Sequence, residues 1–162
     1  MIHLIVGSTG SGKTTYSNNL REENQGVIFS IDKWNNILFM PDKTNKDGLE
    51  WMLERIDRSE KLIQHYILQL EHNGIDSILD LGFSKFSHRE KFRLFALNNK
   101  INYKLHYLDI SIDIRKKRVI KRNTEKGSTY EFEVRNEDFE FMETFFEAPT
   151  ASELENGLHI KL

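Results

Sequence analysis

Short apolar runs alternate along this chain with longer stretches in which apolar positions recur every three or four residues. The runs are Ile2 to Val6, Val27 to Ile31, Ser77 to Leu81, Tyr103 to Leu108 and Leu158 to Leu162, and they predict five short strands. Between the second and third, Leu49, Met52, Leu53, Ile56, Leu62, Ile63, Tyr66, Ile67 and Leu70 keep helical spacing until Asn73-Gly74 supplies a left-handed stop. Thr15 to Glu23, Phe86 to Asn98, Ser111 to Asn123 and Asn136 to Phe146 predict further helices, the last ending before Pro149. Strands that alternate with helices in this way predict an α/β fold, a parallel sheet covered by helices. Met40 to Gly48 and Thr124 to Thr129 concentrate turn-forming and charged residues and are expected as exposed loops able to close over a site.

One segment carries specific chemistry. Gly7 to Thr14 reads GSTGSGKT, the complete G-x-x-x-x-G-K-[ST] phosphate-binding pattern, placed between the first strand and the first helix. Glycines allow successive backbone N–H groups to turn inward around an anion, and the helix that follows offers its positive N-terminal end. Gly7, Ser8, Thr9, Gly10, Ser11 and Gly12, with Thr15 just beyond, are therefore expected to cradle a polyphosphate. Lys13 is expected on the β- and γ-phosphates and the Thr14 hydroxyl on Mg²⁺.

Two aspartates follow predicted strands. Asp32 lies at the carboxyl end of the second, where ligands of open α/β sheets collect, and a carboxylate there can take the proton of an acceptor hydroxyl. The same position suits a helix N-cap. Trp34, two residues on, is either a pocket wall or a packing residue. Asp80 ends the third strand, where a carboxylate can complete a Mg²⁺ shell.

The segment Asp113 to Arg122, DIRKKRVIKR, carries six positive charges in ten residues. Arg115, Arg118 and Arg122 share one helix face, with apolar contacts from Ile114, Val119 and Ile120. Arg118 and Arg122 are expected to reach phosphate, Arg115 with less claim; a solvated basic face and a nucleic-acid patch are the alternatives.

Composition narrows the class. The chain has 162 residues, 38% of them apolar, enough for a single domain spanning 1–162 with its own core. A net charge of −2 gives no general attraction to polyanions, and with no cysteine there are no disulfides or thiolate metal sites. No apolar run approaches the roughly 20 residues of a membrane span. The expectation is a soluble, cytoplasmic protein, monomeric or weakly dimeric, with no membrane partner.

With these residues placed, the chain resembles the P-loop kinase-like family, AAA_33-type ATP-binding proteins similar to the polynucleotide 5′-kinase domain, chloramphenicol phosphotransferase and the zeta-toxin kinases. The resemblance rests on GSTGSGKTT at Gly7 to Thr15, SIDKW at Ser30 to Trp34, LDLGF at Leu79 to Phe83, HREKFRLFA at His88 to Ala96, YLD at Tyr107 to Asp109, RVIKRN at Arg118 to Asn123 and FFEAPTASE at Phe145 to Glu153. It implies a P-loop NTPase three-layer α/β/α sandwich with a five-stranded parallel sheet and a nucleotide-kinase-like lid. It also implies transfer of the ATP γ-phosphate to a hydroxyl, with Asp32 as base and lid arginines at Arg118 or Arg122.

Departures from the family pattern concern the acceptor. Polynucleotide-type kinases carry an arginine three residues after the base aspartate; here the residue is Asn35, which argues against a 3′-phosphorylated acceptor. Leu81-Gly82-Phe83 replaces an Asn-Thr-Asn run. With Trp34, Phe39, Trp51 and Phe83 expected near the mouth, a small, partly apolar hydroxyl compound is favoured over nucleic acid. Arg55 and Arg89 are available for an anion or for surface salt bridges, and Glu147 for a lid arginine. A regulatory ATPase without acceptor, a polynucleotide 5′-hydroxyl kinase and an RNA-binding module using Arg115 to Arg122 are the competing readings.

Overall fold

The computed structural model describes residues 1–127 and 130–161. In chain order the elements are β1 (Ile2–Val6), α1 (Lys13–Asn24), β2 (Val27–Ser30), α2 (Ile31–Leu38), a one-turn 3₁₀ segment (Met40–Asp42), α3 (Leu49–His72), β3 (Ser77–Asp80), α4 (Phe86–Asn98), β4 (Tyr103–Asp109), α5 (Ile112–Glu125), α6 (Asn136–Phe145), α7 (Ala151–Leu154) and β5 (Leu158–Lys161). All strand pairs are parallel, in the order β2-β3-β1-β4-β5.

Strand alternation sorts the core into layers. Ile2, Leu4 and Val6 of β1 join Ile63 and Ile67 of α3 and Phe92 and Ala96 of α4 on one face. Ile5, on the opposite face, packs with Leu20 of α1, Ile78 and Leu108. The result is a three-layer α/β/α sandwich, as the resemblance implies. Because β1 has β3 on one side and β4 on the other, the connections leave it in opposite directions, and the chain beyond its carboxyl end opens into a crevice. That is where Gly7 to Thr14 lies.

Several boundaries differ from the sequence reading. Helix α1 begins at Lys13, two residues earlier, because Gly12 takes φ 93° at the N-cap and turns the loop directly into the helix. Strand β2 stops at Ser30, whose hydroxyl accepts from the Lys33 N–H and starts α2, a helix that the strand-like run Val27 to Ile31 conceals. Asp32 is accordingly a first-turn helical residue, and the cap is Ser30. Helix α7 has no counterpart among the predicted elements; its Thr150–Glu153 capping box is the local signal for it. The loop Thr124 to Thr129 falls in part outside the described residues.

Arg89, expected at the surface, is among the most buried side chains. It bonds Glu153 at 2.6 Å, the Glu147 carbonyl at 2.8 Å and the Phe83 carbonyl at 3.1 Å, fastening the C-terminal segment to the end of β3. Glu147 accepts from the Phe86 N–H at 2.8 Å and from Lys85 at 3.1 Å, so it secures the start of α4 and meets no lid arginine. Arg55 stacks on Trp51 at 3.6 Å.

Candidate functional site

The phosphate-binding segment closes on itself through a Ser11 N–H bond to the Ser8 carbonyl at 3.1 Å. Its glycines are required by contact as well as by dihedral. A Cβ at Gly7 would lie 2.5 Å from Ser11 Oγ and 2.9 Å from the Leu108 carbonyl oxygen. One at Gly10, which has φ 80°, would lie 2.7 Å from the Arg115 carbonyl oxygen. Lys13 folds back over the loop, donating to the carbonyls of Gly7 at 2.8 Å and Ser8 at 3.3 Å.

A cavity of about 660 Å³ opens above this loop, lined by Gly7, Thr9, Gly10, Gly12, Lys13, Thr14 and Thr15 together with Asp32, Asp80, Arg118 and Arg122. Residues far apart in sequence thus share one space because β1 and β3 are neighbours and α5 lies across the loop. The remaining wall comes from Gly82 and Ser84 after β3, Phe132 to Val134, and Asp138, Phe141 and Met142 of α6.

At the base of the site the Thr14 hydroxyl donates to Asp80 Oδ2 at 3.0 Å. Burial raises the Asp80 pKa, while Lys13 and the Thr14 bond pull it down. Burial lowers the pKa of Lys13, against the pull of Asp80 and Asp32. Asp32 stays exposed on the cavity wall, yet the protein around its carboxyl, Asp80 and Glu131 raise its pKa, opposed by Lys13 and Arg122. Two carboxylates face one lysine here, Asp80 disfavouring the charge of Asp32, and the electrostatics of such a site improve when further positive charge enters.

Mg²⁺ fits this donor set. Thr14 and Asp80 supply hard oxygen ligands side by side, and Mg²⁺ takes one or two protein carboxylates with its other positions filled by water and phosphate. Among the described residues no group of three or more His, Cys, Asp or Glu forms a self-sufficient metal cage.

The three arginines of α5 divide. Arg115 is buried, bound to Glu143 of α6 at 2.5 and 2.6 Å, to the Ile110 carbonyl at 2.8 Å and to the Thr9 carbonyl at 3.3 Å. Its guanidinium is spent on holding loop, α5 and α6 together. Arg118 donates to the Ser11 carbonyl at 3.1 Å and lines the cavity. Arg122 also lines it, with a buried Nε that has no partner among the described residues. Arg115 is thereby withdrawn from the basic face of α5, while Arg118 stays exposed at the cavity edge.

The aromatic expectations fail in an informative way. Trp34, Phe39, Trp51 and Phe83 do not line the cavity. Phe83 is fully buried because Gly82 and Phe83 both take left-handed φ, 87° and 42°, and turn the side chain into the core against Phe92. Trp34 packs edge-on to Phe29 and faces a separate apolar groove of about 480 Å³ between β2, α2 and α3. Asn35 is buried in α2 and does not line the cavity either. The aromatics that do are Phe132 and Phe141, which no sequence motif singles out. Met40 to Gly48 likewise contributes nothing to the lining; residues 132–134 and α6 do. No helix among the described residues is long and apolar enough to cross a membrane.

Solved structures with this fold include Kti12 from Chaetomium thermophilum in complex with ADP-AlF3, with TM-score 0.70 and 14% identity over 100% of this chain and 88% of that one. A putative kinase from Chloroflexus aurantiacus gives TM-score 0.68 and 16% identity over 98% and 84%. A gluconokinase from Sinorhizobium meliloti gives 0.62 and 16% over 98% and 81%. No curated protein matches the sequence. The AAA-domain family model AAA_33 matches residues 2–149, and the chain belongs to that family.

Proposed function

We propose that this chain is an ATP-dependent phosphotransferase that moves the γ-phosphate of ATP to the hydroxyl of a small-molecule acceptor. The observation that carries the reading is the convergence of Lys13, the Thr14–Asp80 pair, Arg118, Arg122 and Asp32 on one cavity. The lysine, the Thr14–Asp80 pair and the arginines would serve any nucleotide-binding ATPase; a carboxylate across the same space from Lys13 is placed to take the proton of an attacking hydroxyl.

The phosphates of ATP lie in the loop of Gly7 to Gly12, where backbone N–H groups and the α1 N-terminus meet them. Lys13 exchanges its bonds to the Gly7 and Ser8 carbonyls for phosphate oxygens, which are stronger acceptors. Thr14 and Asp80 would hold Mg²⁺, which would supply positive charge against the phosphates. Asp32 accepts the hydroxyl proton as the acceptor oxygen bonds to phosphorus. The bond from phosphorus to the β-phosphate oxygen breaks, and ADP departs with its electron pair. Arg118 and Arg122 stabilise charge spread over the phosphoryl oxygens. A raised pKa suits Asp32 to this task, since a stronger base takes the proton more readily.

The test is transfer of labelled γ-phosphate from ATP to a panel of hydroxyl compounds, with Lys13→Ala as the blank. ATP binding without transfer to any hydroxyl, but with release of inorganic phosphate, would establish the regulatory ATPase reading instead.

A further inference from the structure

The walls of the cavity differ in charge according to which element supplies them. Its three cations, Lys13, Arg118 and Arg122, all belong to the loop side: Lys13 and Arg118 bond loop carbonyls, and Arg122 follows one turn after Arg118 on α5. Among the described residues the wall built from Ser84, Phe132 to Val134 and α6 contains no cation. It presents the carboxylates of Glu133 and Asp138 beside Phe132, Phe141 and Met142. Cations nearby in sequence are placed elsewhere: Lys85 is held by Glu147 at 3.1 Å over the Phe145 ring, and neither Lys85, Lys33 nor Arg135 lines the cavity.

Both carboxylates keep acceptor capacity. One oxygen of Asp138 takes the Arg135 N–H at 3.2 Å as part of the α6 capping box, leaving the other open. Glu133 makes no ion pair among the described residues. Phe132 and Phe141 are 48% and 61% exposed, an apolar surface of the kind that covers a ligand's hydrocarbon body. Once a triphosphate occupies the loop it consumes the cations, and what remains for a second ligand is acidic and apolar.

We propose that the acceptor is a cationic amphipathic alcohol, an amino alcohol whose ammonium meets Glu133 and Asp138 and whose apolar body rests on Phe132 and Phe141. The inference rests on the phosphotransferase reading for the word acceptor, and on the lining of the cavity for its charge. An anionic acceptor would face Asp32, Asp80, Glu133 and Asp138 with no cation on that wall. Glu131, 3.1 Å from the Asn36 amide of α2, adds further negative potential beside Asp32.

A matched trio of probes isolates charge from shape: 2-amino-1-phenylethanol, 1-phenyl-1,2-ethanediol and mandelate share one body and are cationic, neutral and anionic near neutral pH. Ligand-observed NMR measures their binding to the full chain saturated with Mg²⁺ and a non-hydrolysable ATP analogue, and the appearance of labelled γ-phosphate on the probe, with ATP as donor, measures transfer. The expected order is cationic over neutral over anionic, with about tenfold between the ends from two partly exposed charge contacts. In the Glu133→Gln, Asp138→Asn double variant the order collapses; the amide oxygen introduced by Asp138→Asn still accepts from the Arg135 N–H, so the cap of α6 is kept. Mandelate binding as well as the amine, an order unchanged in the double variant, no binding by any of the three, or displacement by nucleotide would each overturn the inference. The last would assign the aromatic wall to the nucleotide. Selective binding without transfer leaves the charge inference standing and separates it from the phosphotransferase reading, which falls only when the wider hydroxyl panel yields inorganic phosphate alone; transfer to mandelate in preference to the amine keeps that reading and overturns the charge inference.

Discussion

Thr14 Oγ1 lies 3.0 Å from Asp80 Oδ2, tying the first turn of α1 to the end of β3 across 66 residues of sequence. The contact exists because β1 and β3 are parallel neighbours in register, Leu4 opposite Leu79, so that the loop after one strand overhangs the end of the other. In the proposed function these are the two oxygens that would hold Mg²⁺, and bringing them together has a cost. Burial raises the pKa of Asp80, which means the folded protein holds this carboxylate as an anion less willingly than the unfolded chain does.

That cost gives the first prediction. For a carboxyl whose folded pKa is raised, stability increases as pH falls through the folded value, and the ionised form is a burden at neutral pH. Asp80→Asn is therefore expected to stabilise the nucleotide-free protein at neutral pH by about 1 kcal/mol, in the range of relieved functional sites, while removing the gain in ATP affinity that Mg²⁺ provides. Urea unfolding and calorimetric titration with and without Mg²⁺ measure the two effects. A destabilised Asp80→Asn protein would show that the carboxylate serves the fold.

Lys13→Ala is expected to weaken ATP binding by about 10- to 100-fold, the worth of a charge-assisted contact to phosphate, with little change in stability, since its present partners are backbone carbonyls of the loop. Equilibrium titration of ATP decides it.

For Asp32 the expectation separates binding from chemistry. Asp32→Asn lowers kcat by about 10²- to 10⁴-fold, the typical contribution of a positioned base, and leaves the ATP Kd within about threefold. Because the surrounding protein, Asp80 and Glu131 raise the pKa of Asp32, activity falls on acidification at a pH above the ordinary carboxylate range. Glu131→Gln removes one of the raising charges, so the acid limb of the profile moves to lower pH. An acid limb indifferent to residue 131 would detach it from Asp32.

Arg115 and Arg118 are expected to behave as opposites despite their shared helix face. Arg115→Ala strands Glu143 and releases the Thr9 and Ile110 carbonyls, and is expected to destabilise by about 3 kcal/mol. Arg118→Ala is expected to leave unfolding within about 0.5 kcal/mol and to reduce phosphoryl transfer. Unfolding curves of the two variants, set beside their transfer rates, test the division.

A buried chain on the α1 side of the sheet runs from the Tyr16 hydroxyl to His106 at 2.8 Å, to His3 at 2.9 Å and to Asp76 at 3.1 Å. Burial, with His3 and Lys104 nearby, lowers the pKa of His106 from 6.5 to about 4. A histidine depressed in this way takes up its proton in the unfolded chain first, so stability is full above pH 6.5 and is lost as pH falls toward 4. The loss attributable to His106 is on the order of 3 kcal/mol. His106→Gln is expected to flatten the pH dependence of unfolding across that window, whatever its effect at neutral pH.

Much of the fold is legible in the chain because it is encoded locally. The apolar run Ile2 to Val6, the long stripe from Leu49 to Leu70 and the helix Phe86 to Asn98 all stand where their periodicity places them. Helix α2 is harder to read, since Val27 to Ile31 looks like one strand until the Ser30 hydroxyl is seen to cap Lys33. Of the candidate site, the loop, Lys13, Thr14, Asp32, Asp80, Arg118 and Arg122 are brought together round one cavity. The aromatic wall lies elsewhere than expected because nearness in sequence does not set where Trp34 and Phe83 point; side-chain direction is a property of the backbone around them.

The order of residues by itself determined that a polyphosphate loop stands between a strand and a helix of an α/β chain, because glycine spacing and apolar periodicity act over fewer than about ten residues. Only the tertiary structure decided which arginine is held by a carboxylate and which lines the cavity. Arg115 and Arg118 are equivalent on their helix, and what separates them is Glu143, 28 residues beyond Arg115, packed by α6 against one and not the other. It likewise decided that Phe132 and Phe141, with Glu133 and Asp138, form the far wall. Burial and charge at a site are sums over neighbours that the chain supplies from its whole length, and no local pattern carries that sum.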